Sequence, residues 1–296
     1  MRRYPLSGFF LITFGLTWGL GACFALFPAQ LMAVFGKVSI TNPLFIVAVY
    51  APSLSAIIMT GLIDGLAGIQ SLLGRVFHWR NGIQWYLAIS VGIPLLTTIA
   101  LLASLVFAGA PQAIHHWYDL FLLGPTGHEI VHALGSGSGG GFRVVLVILG
   151  SFLADPGPLG EELGWRGFAL GRLLKQRSAL GAAIILGIVW GAWHLPAFFI
   201  GGLPQSSMSI PVFMASIVAL SVLMTWAFNG TRGSILIAIL IHWTFNTCMD
   251  LTRMPIALFT AGVLVTAAVA VVICTGPALA ARLREQESFA DSSGNA

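Results

Sequence analysis

Charge is what this sequence has least of. Lys, Arg, Asp and Glu together make up 8% of its 296 residues, whereas soluble domains carry about 25%. So few charges exclude a water-soluble globule. Cysteine is scarce as well: Cys23, Cys248 and Cys274 are the only three. They lie far apart within apolar runs and show no CxxC or other metal-binding spacing, which leaves them a packing role. The formal net charge of +4 is small. In an apolar chain the distribution of Lys and Arg carries more meaning than their sum, and no nucleic-acid partner is implied.

What fills the sequence instead is hydrocarbon. Hydrophobic residues account for 57% of the chain, and mean hydropathy is +0.91. Apolar windows of the length that crosses a bilayer, about 20 residues at 1.5 Å rise, fall near 7–27, 43–67, 83–108, 143–174, 179–200, 211–229, 233–252 and 256–279. The first follows Arg2 and Arg3 as a signal peptide would, but it is too long for an h-region and reads as a retained helix. The expected fold is an all-α, polytopic transmembrane helical bundle of about eight spans in the cell membrane. With the amino terminus inside, eleven of the fourteen Lys and Arg fall on the cytoplasmic side and only Lys37, Arg143 and Arg253 outside. That asymmetry predicts an even span count with both termini cytoplasmic.

The chain divides into 1–142, amino-terminal transmembrane helices and an outer loop; 143–252, a core holding the polar motifs; and 253–296, a last helix and a polar tail expected to be disordered from Gln286 onward. Asp155-Pro156-Gly157-Pro158 interrupts the fourth window. Broken backbone at membrane depth is tolerated only where it lines a cavity or is buried in protein.

Immediately after that break, Glu161, Glu162 and Arg166 enter one apolar segment. Ionisable groups at such depth are costly and mark function. Glu162 and Arg166 are four apart and share a helical face, so they form a neutralising pair. Glu161 is then left to act on a proton. Two further sites follow: Trp190-Gly-Ala-Trp-His194, and His242-Trp-Thr-Phe-Asn246, whose His and Asn are again four apart. Counted from the nearest cytoplasmic charge, Glu161 lies roughly 16 Å deep, His242 roughly 15 Å and His194 roughly 20–25 Å. The three can meet near mid-membrane, although sequence does not show them side by side. Asp64 reads as a packing polar group and Asp250 as an interfacial one, neither with a named partner.

Taken together, Glu161-Glu162-x-x-x-Arg166, Trp190-x-x-x-His194 and His242-x-x-x-Asn246 resemble, in order and separation, the EExxxR, FxxxH and HxxxN motifs of the CAAX protease and bacteriocin-processing (CPBP, Abi) family of intramembrane proteases. That family includes the type II CAAX prenyl endopeptidases. Trp190 stands where Phe is usual, which keeps an aromatic wall. The resemblance covers about 155–250. It implies an endopeptidase acting on a membrane-embedded or lipidated substrate, including prenylated CAAX-like ones, within membrane lipid. In that scheme Glu161 and His194 activate water, His242 and Asn246 stabilise the oxyanion, and Glu162 with Arg166 support them. A zinc ion on Glu161, His194 and His242 is the alternative chemistry, since His₂Glu with an open position is a catalytic zinc set. Asn246, a poor zinc ligand and a good oxyanion donor, favours the metal-free version.

A competing motif, His128-Glu129-Ile130-Val131-His132, matches the HExxH pattern of zinc proteases. Flanking Gly127 and Gly135 leave it about two helical turns in the outer loop, and a short interfacial helix is the simpler reading. Two rival functions stand against the protease: a non-catalytic immunity or scaffold protein, and a proton-coupled transporter, since broken helices and buried carboxylates also line ion paths.

Overall fold

The structure is a computed structural model and describes residues 3–39, 42–108, 149–150, 152, 155–201, 203–251 and 257–279. The outer loop with its HExxH motif, Arg253 and the tail from Gln286 lie outside the described residues. Among the described residues the chain is helical, without a strand. The principal helices are α1 (Pro5–Leu26), α2 (Pro28–Phe35), α3 (Pro43–Gly74), α4 (Ile83–Ala108), α5 (156–173), α6 (Ala179–Trp193), α7 (Ile210–Gly230), α8 (Ile235–Leu251) and α9 (Ala257–Thr275).

A helix stands in each interval read as a span. Six of the described helices are long and apolar enough to cross a membrane, and α8 is a shorter apolar helix. Large apolar side chains point outward along them: Leu11 is 70% exposed, Phe107 80% and Ile273 77%. Meanwhile Glu162 and Arg166 are fully buried. Apolar outside and charged inside is the reverse of a soluble domain and suits hydrocarbon solvent. The chain is a multi-pass membrane protein.

Helix α5 carries the first motif and sits against α3. Its start is adapted to an apolar surrounding, where unpaired N–H groups are expensive. Pro156 and Pro158 have none to leave unpaired, and the N–H of Gly157 donates to Asp155 Oδ1 at 3.0 Å. Glycines then let α5 approach its neighbours. An ideal Cβ on Gly160 would lie 3.0 Å from the Val49 carbonyl oxygen, and one on Gly164 2.5 Å from that of Pro52. This is the small-xxx-small contact by which membrane helices pack closely. From Leu163 to Leu170 the turn widens into a π-helix, a form that recurs at functional sites.

Pro52, inside α3, deprives the Ala48 carbonyl four residues earlier of its helical donor. Thr17 Oγ1 of α1 donates to that oxygen at 2.8 Å, and Trp193 Nε1, at the end of α6, donates to Thr17 Oγ1 at 2.8 Å. Trp18 Nε1 in turn donates to the Trp193 carbonyl at 3.3 Å. Thus α1 joins α3 to the end of α6, one residue before His194. Nearer the other end of α3, Gly65 takes φ +66° and breaks the helix. There Asp64, read from sequence as a packing polar group with no named partner, meets Arg172 at 3.5 Å. The structure supplies the partner that sequence could not name, since nothing local shows these two helices' charges coming together.

The contact at Gly164 makes a direct prediction. Ala has the higher helix propensity by about 1 kcal/mol, yet Gly164→Ala should lower stability by a net ~1–3 kcal/mol, because backbone must shift to admit the methyl group. Gly171→Ala is the control, since nothing lies within 4 Å of its Cβ position. Thermal unfolding of both variants in detergent checks this: equal melting temperatures would refute the close contact.

Candidate functional site

The site is built from one carboxylate outward. Glu162 Oε1 accepts from Arg166 Nη1 at 2.9 Å, one turn along α5. It also accepts from His242 Nδ1 at 2.8 Å, on α8. The expected Glu162–Arg166 pair is therefore present, and it reaches a third partner that the local pattern could not show. The Arg166 guanidinium lies 4.2 Å from the centre of the Trp190 ring, a cation–π contact. Nε and Nη2 of Arg166 have no hydrogen-bond partner among the described residues, so the indole face is what they are offered instead.

Glu161 points elsewhere, as its 100° rotation from Glu162 on the helix requires. Its Oε2 accepts from Trp190 Nε1 at 2.6 Å. His194 follows Trp190 by one turn, at the carboxyl end of α6, and its Nδ1 is 2.9 Å from the Trp190 carbonyl oxygen. A carbonyl can only accept, so Nδ1 carries a proton and Nε2 of the neutral ring is left with its lone pair. The Trp190 ring meets His242 edge to face, centroids 5.4 Å apart, and His194 at 6.0 Å. Trp193 and Phe213 flank His194 at 4.7 and 5.2 Å. Glu161, His194 and His242 thus share one neighbour, Trp190.

Asn246, one turn after His242 on α8, donates from Nδ2 to Asp155 Oδ2 at 2.9 Å. That carboxylate also caps α5 through its other oxygen. One of the two amide N–H groups of Asn246 is engaged in this way, and among the described residues the other is left over. The three polar groups converge on Gly157. An ideal Cβ there would lie 3.2 Å from Asp155 Oδ1, 3.3 Å from Glu161 Oε1 and 3.6 Å from Asn246 Nδ2. A point one bond from the backbone is therefore ringed by two carboxylates and an amide.

All six residues singled out from the three motifs, Glu161, Glu162, Arg166, His194, His242 and Asn246, fall around this centre. Two contributors were not assigned a part from sequence. Trp190 was read as an aromatic wall, and its N–H proves to be a donor to Glu161. Asp155 was read as part of a helix break. Its position before a proline is a recognisable N-cap signal, but its bond to Asn246 crosses 91 positions and has no local signature. Among the described residues no three His, Cys, Asp or Glu are grouped so as to hold a metal ion.

Fold and site together define a helical membrane protein with an enclosed cluster of acid, imidazole and amide groups. Residues 141–248 match the family described as Type II CAAX prenyl endopeptidase Rce1-like. A curated relative, CAAX prenyl protease 2 of Methanococcus maripaludis, is 35% identical over 97 residues, which is 31% of this chain and 36% of that protein. The match spans about a third of the length of the curated relative. The 141–248 segment is thus similar to the CAAX protease family, and all three motifs lie within it.

The buried charge pair carries a prediction. Arg166→Met leaves Glu162 with His242 alone and should cost about 3–5 kcal/mol, the penalty for breaking a buried ion pair. Glu162→Gln combined with Arg166→Met removes both charges and should recover a large part of that loss. A double-mutant cycle by denaturant or thermal unfolding in detergent measures it. Strict additivity of the two single effects would mean that the pair is not coupled.

Proposed function

We propose that this chain is an intramembrane endopeptidase that hydrolyses a peptide bond in a membrane-embedded or lipidated substrate by means of an activated water. The observation that carries the reading is the convergence of Glu161 Oε1 and the Asn246 amide on one point beside Gly157, within a centre that also holds His194 and His242. The likeness of the 141–248 segment to the Type II CAAX prenyl endopeptidase family supports it. The matched relative's name, CAAX prenyl protease 2, suggests a prenylated carboxy-terminal peptide as the first substrate class to try.

In this mechanism a water beside Gly157 loses a proton to Glu161 as its oxygen attacks the scissile carbonyl carbon. Nε2 of His194 accepts a hydrogen bond from the same water and fixes its direction. The oxygen of the attacked carbonyl gains negative charge and faces donors on α8: the free N–H of Asn246, and His242 through Nε2 when that ring is doubly protonated against Glu162. Donors held in place before charge develops supply typically 2.7–4 kcal/mol each. Collapse breaks the C–N bond, and the proton held by Glu161 passes to the leaving amine. Glu162 and Arg166 touch no reacting atom; they hold His242 and the α5 backbone. Membrane lipid admits the substrate laterally, and no step runs through a metal.

Purified protein in detergent, assayed against prenylated, acylated and transmembrane peptides, tests the proposal. Hydrolysis should fall at least ~10³-fold in Glu161→Gln and ~10²-fold in Asn246→Ala, losses typical of a general base and an oxyanion donor. Glu129→Gln should leave it unchanged, and so should a chelator such as 1,10-phenanthroline. Loss only in Glu129→Gln would move the chemistry to the HExxH motif. Loss with chelator, restored by zinc, would make Glu161, His194 and His242 ligands. No cleavage by any form would overturn the protease reading in favour of a scaffold or a proton-coupled transporter.

A further inference from the structure

Trp190 occupies the position at which the resembled motif has Phe, and Phe has no donor. In this chain the indole N–H donates to Glu161 Oε2 at 2.6 Å, and Trp190 is 1% exposed. It touches four members of the site, Glu161, Arg166, His194 and His242. Its ring face receives the Arg166 guanidinium at 4.2 Å, its ring meets His242, and its carbonyl accepts from His194 Nδ1 at 2.9 Å. Oxygen Oε2 is therefore held on the side of α6, while Oε1 lies 3.3 Å from the Cβ position of Gly157, beside Asn246.

Resting on the protease reading of Glu161, we propose that Trp190 is a positioning residue: its N–H holds one oxygen of the Glu161 carboxylate so that the other is presented to the water. A carboxylate on a two-carbon stem has several rotamers available, and freezing the productive one before substrate arrives is the part of catalysis that orientation supplies. A charge-assisted bond from a buried indole does this within an apolar interior, where it is stronger than in water. The aromatic wall expected at this position is thus also a directed donor.

The test separates the donor from the ring. Site-specific incorporation of 3-benzothienylalanine at position 190 replaces N–H by sulfur and keeps the shape, the packing and the face offered to Arg166. Trp190→Phe removes donor and volume together and serves as the second variant. With the peptide that the wild type cleaves best, the benzothienyl protein should show kcat reduced about 10- to 100-fold, the equivalent of one charge-assisted hydrogen bond. KM and melting temperature should stay at wild-type values. Undiminished kcat in the benzothienyl protein, with Glu161→Gln inactive, would overturn the positioning role and leave the protease reading standing. Full activity in Glu161→Gln, or none in wild type, would overturn that reading and this proposal with it. A fall in kcat matched by a fall in melting temperature would make Trp190 a packing residue only.

Discussion

Glu162 Oε1 receives both Arg166 and His242, and the arrangement of the centre follows from the need to keep that carboxylate paired in an apolar interior. Taking two charges out of water costs several kcal/mol per ion even after relaxation, and the attraction between them offsets this only when geometry and hydrogen bonding are good. A guanidinium one turn away on the same helix gives a partner whose distance hardly depends on tertiary structure. The imidazole from α8 does depend on it, and so ties the charge pair to the helix that also carries Asn246. The Trp190 indole lies against a face of the Arg166 guanidinium, while the carboxylate meets it at the edge through Nη1.

The same economy of buried polar groups explains the irregular backbone around the site. A helix that begins within an apolar layer exposes donors, and one that contains a proline exposes an acceptor. At the start of α5 two prolines and the Asp155 cap remove the first problem; in α3 the hydroxyl of Thr17 answers the second. Both solutions have a second use. Asp155 goes on to hold Asn246, and Thr17 goes on to accept from Trp193, the neighbour of His194. Two of the site's groups are therefore positioned by the repairs that a broken helix demands.

This division also marks what could be read from sequence. Hydropathy found the intervals in which helices stand, because a length of 20 apolar residues is a local property. Spacing of four identified Glu162 with Arg166 and His242 with Asn246, because both pairs are set by the geometry of a single helix. The motifs' order made the resemblance, and the matched segment agrees with it. Contacts between helices left no trace: the Trp190 donor, the Asp155–Asn246 bond and the Asp64–Arg172 pair each join residues that chance and a thousand folds could have kept apart. Depth counting placed the three motifs at comparable levels in the membrane, yet it carried no information about rotation, and rotation decides which of two adjacent glutamates faces which helix.

Adjacent glutamates are a costly arrangement unless they differ in task, and here the helix makes them differ. Successive side chains diverge by 100°, so Glu162 turns toward α8 and its two cationic or polar donors, whereas Glu161 turns toward α6 and Gly157. Both carboxylates are buried, Glu162 fully and Glu161 with 4% exposure. Gly157 admits this close approach, since any larger residue would put its Cβ 3.3 Å from Glu161 Oε1 and 3.6 Å from the Asn246 amide. The glycine between two prolines thus has two consequences: it starts the helix with its single N–H capped, and it lets the Glu161 carboxylate and the Asn246 amide come close to the α5 backbone.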